Sequence, residues 1–236
     1  MFVQILQGKV ADAAGVRGEL DRWWRELGPS VPGWRRLTAA LGDDGEFLAL
    51  LQFDSRDSYR HNRARPEQKA WLGGLEFSLT APVTVTECAA GYALHAGDSE
   101  AARFLQVVQG RVTDPARFAA TRAQAEQTLR RHAPHVLGVL FLEHAGGSGQ
   151  FTEVAYCTSE RETRAAERQM PVEMAVLLGT RRSFVADFRL LEFREVGVYG
   201  PRPAPSRRSS SAEHADASAA AGGEPRSPRS ATALPV

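Results

Sequence analysis

Few side chains in this sequence combine a chemically useful type with a useful position. His61 and Asn62 stand together in Tyr59-Arg60-His61-Asn62-Arg63. The imidazole can take a proton near neutrality, and the amide can donate to a developing oxyanion. Neighbours on a helix point about 100° apart, so the two do not share one cavity. His61 also reads as a solvated helix histidine and Asn62 as a surface polar residue. Gln4 and Gln106 each interrupt an apolar strand-like run. An amide buried there needs partners or costs about 1–3 kcal/mol, so each either holds a ligand carbonyl or pairs with its counterpart. Trp34 and Trp71 are large enough to wall a pocket for an aromatic compound or, equally, to fill a small core.

Other constellations carry less chemistry. His132 and His135 flank Pro134, and His144 ends the next run. A spacing broken by proline does not form a helical ligand pair, and no carboxylate is placed among them, so no metal is expected. Cys88 and Cys157 lie on strand-like runs without a neighbouring histidine and read as buried thiols. No phosphate-cradling glycine loop, nucleophile elbow or dinucleotide fingerprint occurs, so no cofactor is expected.

The elements that must position these groups follow from composition and repetition. The 236 residues are 43% hydrophobic and 24% charged with a net charge of +1, enough apolar content for a real core. The charge balance offers no footprint for nucleic acid. No apolar run nears the roughly 20 residues that cross a bilayer. The absence of a basic, apolar leader and the two cysteines point to a reducing cytoplasm. Lys9 and Lys69 are the only lysines, a bias of codon usage rather than of binding. Residues 200–236 hold six prolines and no aromatic residue. They cannot offset an ordering entropy of about 1–2 kcal/mol per residue and read as a disordered tail.

The remainder repeats itself. Residues 2–12 align with 104–114, with Phe2, Gln4, Gln7, Gly8, Val10 and Asp12 matched by identical residues. Pro32 matches Pro134, Phe47 matches Phe151, Ser55 matches Ser159, Pro66 matches Pro171 and Glu87 matches Glu192. The chain thus divides into a repeat over 1–95, a linker over 96–102 and a second repeat over 103–199. Each reads βαββαβ: a strand ending in a capping Asp, a helix closed by a Gly or Pro, a hairpin over 34–53 or 136–157, a helical stretch broken at Pro66 or Pro171, and a last strand over 83–88 or 188–193. This is an α+β, ferredoxin-like plan. Each sheet is apolar on both faces, so helices cover one and the other repeat's sheet covers the other. The expected architecture is two tandem units packed as an intrachain pseudo-dimeric α+β barrel, and therefore a monomer.

Residues 53–71, from Phe53 through Ser55, Tyr59, His61 and Asn62 to Arg65-Pro66-Glu67 and Trp71, resemble the third-strand-to-helix signature of the antibiotic biosynthesis monooxygenase superfamily. Residues 2–10 are similar to its first strand, and the resemblance covers both repeats. It implies oxidation of a hydrophobic, anthrone-like aromatic by O₂ without a cofactor, with haem degradation as another activity of such relatives. A deprotonated phenol then reacts directly with O₂, and the protein supplies an apolar site, a base and an oxyanion donor. On this resemblance His61 and Asn62 are the catalytic candidates. Gln4, Gln106, Trp34, Trp71 and Tyr59 are the substrate-binding ones. The counterparts of His61 and Asn62 are Ala165 and Ala166, so chemistry is expected in one half only. A protein of the same fold that binds a small molecule without transforming it is the alternative, with haem degradation a third option.

Overall fold

The computed structural model describes residues 1–95 and 99–201. The expected tail, from residue 202 onward, and the middle of the expected linker lie outside them. The first repeat runs β1 (Phe2–Lys9), α1 (Ala13–Arg22), β2 (Trp34–Leu41), β3 (Glu46–Phe53), α2 (Arg56–Ala64), α3 (Pro66–Phe77) and β4 (Thr84–Leu94). The second runs β5 (Phe104–Val112), α4 (Pro115–Ala120), α5 (Arg122–His132), β6 (Val136–His144), β7 (Gln150–Cys157), α6 (Glu160–Arg168), α7 (Val172–Ser183), β8 (Val185–Phe193) and β9 (Glu195–Tyr199). Among the described residues no helix is long and apolar enough to cross a membrane.

Local chemistry explains the helix starts. Asp12 accepts a backbone N–H two residues ahead, and Asp114, Ser55 and Ser159 one three residues ahead, satisfying donors that have no partner within the helix. Beyond α1 the chain widens into a π turn at Trp23–Leu27 and a 3-10 turn at Gly28–Ser30, where an unbroken helix was expected to Leu27. Pro66 opens α3, as proline favours the first helical position.

The strands form one antiparallel sheet in the order β8-β5-β7-β6-β4-β1-β3-β2-β9. Its two ends, β8 and β9, are separated by Arg194 alone, so the sheet closes on itself. The hairpin pairing is equivalent in the two halves. Leu37 faces Leu51 across β2–β3 as Val139 faces Ala155 across β6–β7, with a register shift at the same place in each. Gln4 faces Glu87 as Gln106 faces Glu192.

Alternation along the strands divides the core. Val3, Ile5, Leu105 and Val107 point into the barrel and pack with Leu50, Leu142, Val154 and Phe193. Phe2 and Leu6 point outward onto the first repeat's helices, among Trp23, Trp34, Tyr59 and Trp71. On the second repeat's helix face the apolar residues form two separate clusters, one around Phe104, Ala125 and Leu177 and one around Phe118 and Phe151.

Candidate functional site

The two helix-covered faces differ in how their space is filled. In the first repeat the space between sheet and helices is filled with rings. Trp23 packs edge-on against Trp34, with centroids 5.0 Å apart, and lies 6.2 Å from Trp71. Tyr59 stacks on Phe2 at 4.7 Å. Trp23, Tyr59 and Trp71 are wholly buried.

The strand registers and the buried helix stripes identify their counterparts. Trp23 corresponds to Ala125, Trp34 to Val136, Tyr59 to Thr163 and Asn62 to Ala166. Trp71, on the buried stripe Gln68, Trp71 and Leu75 of α3, corresponds to Leu177 on the stripe Met174, Leu177 and Arg181 of α7. Every one of these exchanges replaces a larger side chain by a smaller one. The result is a cavity of about 540 Å³ lined by Ala125, Val136, Thr163, Ala166 and Leu177. Its size and apolar wall suit a small organic ligand. Partly exposed Met170, Leu178, Phe188 and Leu190 also border it.

Besides His132, Thr163 and Arg182, polar groups enter this wall in two clusters. At one, Gln106 donates from Nε2 to Glu167 Oε1 at 2.8 Å and to Glu192 Oε1 at 3.1 Å, and Arg164 bonds to both carboxylates. Near it, burial pushes the His135 imidazole below its usual range, opposed by Glu162 and Glu167. At the other, Arg181 donates to Glu153 Oε2 at 2.7 Å, to Thr121 Oγ1 at 3.0 Å and to the Tyr92 hydroxyl at 3.4 Å. Its guanidinium also lies 4.2 Å from the centre of the Phe118 ring, a cation–π arrangement. The first repeat has Leu75 and Ala49 where this ion pair stands.

The residues singled out from the sequence fall into two groups. Gln106 borders the cavity. Trp34, Tyr59, Trp71 and Asn62 are buried in the filled half, and His61 is exposed. Asn62 Nδ2 donates to Gln68 Oε1 at 3.1 Å, which also accepts from Trp23 Nε1 at 2.8 Å. Asn62 Oδ1 and Trp34 Nε1 are buried without a hydrogen-bond partner among the described residues. The Trp71 indole donates to the Glu19 carbonyl at 2.7 Å. Tyr59 donates to Glu87 at 3.0 Å, and burial pushes its phenol upward. Gln4 is buried on the same face as Phe2 and Leu6. Gln4 and Gln106 do not pair across the pseudo-dyad. Gln7 and Gln109 do, with Gln109 Nε2 donating to Gln7 Oε1 at 2.9 Å and the reverse contact at 3.4 Å. Both pairs share one sequence offset, and strand alternation sends only Gln7 and Gln109 into the barrel.

The remaining candidates are dispersed. His132 contacts Glu173 at 3.0 Å and His144 contacts Thr152 at 2.9 Å. Among the described residues no three His, Cys, Asp or Glu side chains come together as a metal site. Burial pushes the Cys88 thiol up to about 12 and the Cys157 thiol up to about 11, so neither is a ready nucleophile. Glu153, Arg181 and Phe118 were missed by sequence reading. A position-by-position comparison of the repeats for lost volume and gained charge would have found Glu153, set against Ala49.

No protein-family profile matches the sequence, and no curated protein does. Solved structures match in fold. An anthrone oxidase-like protein superposes with a TM-score of 0.62 at 14% identity, covering 84% of this chain and 93% of that one. A provisionally assigned monooxygenase from Lactobacillus acidophilus gives 0.65 at 9% identity, over 84% and 96%. A ferredoxin-fold protein from Listeria monocytogenes, related to antibiotic biosynthesis monooxygenases, gives 0.50 at 8% identity, over 82% and 94%.

Proposed function

We propose that this chain, which has the fold of the antibiotic biosynthesis monooxygenase-like proteins, binds a planar hydrophobic aromatic compound in its second repeat and oxidises it with O₂ without a cofactor. The observation that carries this reading is the cavity left where Ala125, Val136, Thr163 and Leu177 stand in place of three indoles and a phenol. The reaction needs little from the protein. An anthrone-type methylene loses a proton to a base, and the resulting anion passes an electron to O₂. A C–O bond forms, and loss of water leaves a ketone, with one oxygen atom in the product and the other in water. A dry, apolar chamber favours such a step because it strips solvent from the anion.

The binding-only alternative has a specific observation in its favour. Two of the cavity's polar pairs, Arg181 with Glu153 and Gln106 with Glu167, are already bonded to one another. One experiment separates these readings and the two locations. Oxygen uptake and equilibrium binding are measured with a model anthrone for the native chain, Ala125→Trp and Asn62→Ala. Ala125→Trp restores the first repeat's residue in a space able to take it, so overpacking is avoided. The expected result is uptake and binding that fall at least tenfold in Ala125→Trp and persist in Asn62→Ala. Binding without uptake selects the binding-only reading. Loss in Asn62→Ala with retention in Ala125→Trp returns the site to His61 and Asn62 and overturns the cavity assignment.

A further inference from the structure

The second repeat has gained a charge pair where the first has Ala49 and Leu75. That gain lies in the wall of a cavity that is otherwise largely apolar. Burying an ion pair there is not a route to stability, because the desolvation of both ions offsets most of their attraction. Its geometry is asymmetric in a way that matters to a ligand. Arg181 is buried and held by Glu153, Thr121, Tyr92 and the Phe118 ring. Glu153 accepts through Oε2, and its Oε1 makes no hydrogen bond among the described residues. Its side chain retains 23% exposure and lines the cavity. Arg181 therefore fixes a carboxylate whose second oxygen is left for whatever enters.

We propose that Glu153, held by Arg181, is the specificity-determining residue of the cavity and selects aromatic compounds that present a hydroxyl donor. A carboxylate is an acceptor only. It rewards a phenolic O–H and penalises an ether or a bare ring that strips its water without replacing the hydrogen bond. A site built around such an acceptor discriminates sharply against a ligand lacking the donor. This inference rests on the cavity reading above and assigns its substrate class.

The two repeats supply the test. Glu153→Ala with Arg181→Leu recreates the pairing already found in the first repeat, Ala49 with Leu75, and leaves no uncompensated ion. The probes are 2-naphthol and 2-methoxynaphthalene, alike in size, the ether being the more hydrophobic. Calorimetric titration of the native chain is expected to favour the naphthol by about tenfold, the equivalent of one charge-assisted hydrogen bond. The double variant is expected to bind the ether at least as tightly as the native chain does, because the desolvation of Glu153 no longer opposes it, and the naphthol no more tightly than the ether. Retained ether binding is also the control for folding. Equal affinities in the native chain, or a preference that survives in the double variant, would overturn the assignment of Glu153 while leaving the cavity as a binding site. Binding of neither probe to the native chain would defeat the cavity reading itself, and this inference with it.

Discussion

At the scale of single residues, the two halves spend their aromatic side chains differently. Trp71 is wholly buried, packs within reach of Trp23 and satisfies the Glu19 carbonyl through its indole N–H. Removing it deletes a large apolar contact, opens a cavity and leaves a backbone acceptor unpaired. Leu177 sits at the equivalent place but already borders empty space, so fewer neighbours lose contact when it is shortened. Trp71→Ala is therefore expected to destabilise the fold by about 3–5 kcal/mol, and Leu177→Ala by about 2 kcal/mol, the low end for buried leucines. Urea unfolding of both variants, with unchanged slope, checks this. Equal losses would mean that the first repeat is no better packed than the second. The same contrast explains why Asn62 drew attention in the sequence. It is a polar residue on a buried helix stripe, and its amide is bound to Gln68 inside the filled half. The change from Asn62 to Ala166 reads as a lost functional group when taken alone. Taken together with Trp23 to Ala125 and Trp34 to Val136 it reads as vacated volume, and that requires all the changes to be placed on one surface.

At the scale of elements, the order of strands and helices was legible because each repeat carries its own caps and turns. Asp12 and Asp114 open helices, and Gly42-Asp43-Asp44-Gly45 turns a hairpin. Strand lengths were less legible. The last strand of the first repeat was expected over 83–88, yet β4 runs Thr84–Leu94. Its first part pairs with β1 and its last part, from Cys88, with β6 of the other repeat. A partner so distant in sequence leaves no local signal. β9 was missed for the same reason, since its pairing is with β2. Just inside the pairing with β6, a register shift between Ala90 and Tyr92 falls at Gly91. A Cβ at Gly91 would collide with the Phe141 carbonyl oxygen. Neither backbone can yield without breaking the seam, so Gly91→Val is expected to cost at least the 1–3 kcal/mol typical of overpacking. Thermal unfolding measures the loss. A melting temperature equal to that of the native chain would show that β4 and β6 do not approach so closely.

At the scale of the whole molecule, holding both repeats in one chain lets the halves differ. Two identical subunits must carry identical pockets, whereas two repeats in one chain can differ, as the ring-filled first half and the cavity of the second do. What keeps them together is shared equally by both. β4 pairs with β6, β9 pairs with β2, and Gln7 and Gln109 exchange hydrogen bonds inside the barrel. An isologous dimer of single units would use the same two seams. Here both are made within the chain, and the sheet has no long open edge along which a second copy could add strands. The partly exposed Met170, Leu178, Phe188 and Leu190 are the counterargument, because an apolar rim of this kind can also mark an interface. Their position beside the cavity accounts for them as its border without a partner. The chain is therefore expected to sediment as a monomer of 25.7 kDa at micromolar concentration. It should do so with and without a ligand in the cavity. A mass near twice that value would assign the rim to a subunit contact, and a dimer that dissociates when ligand is added would place that contact over the cavity mouth.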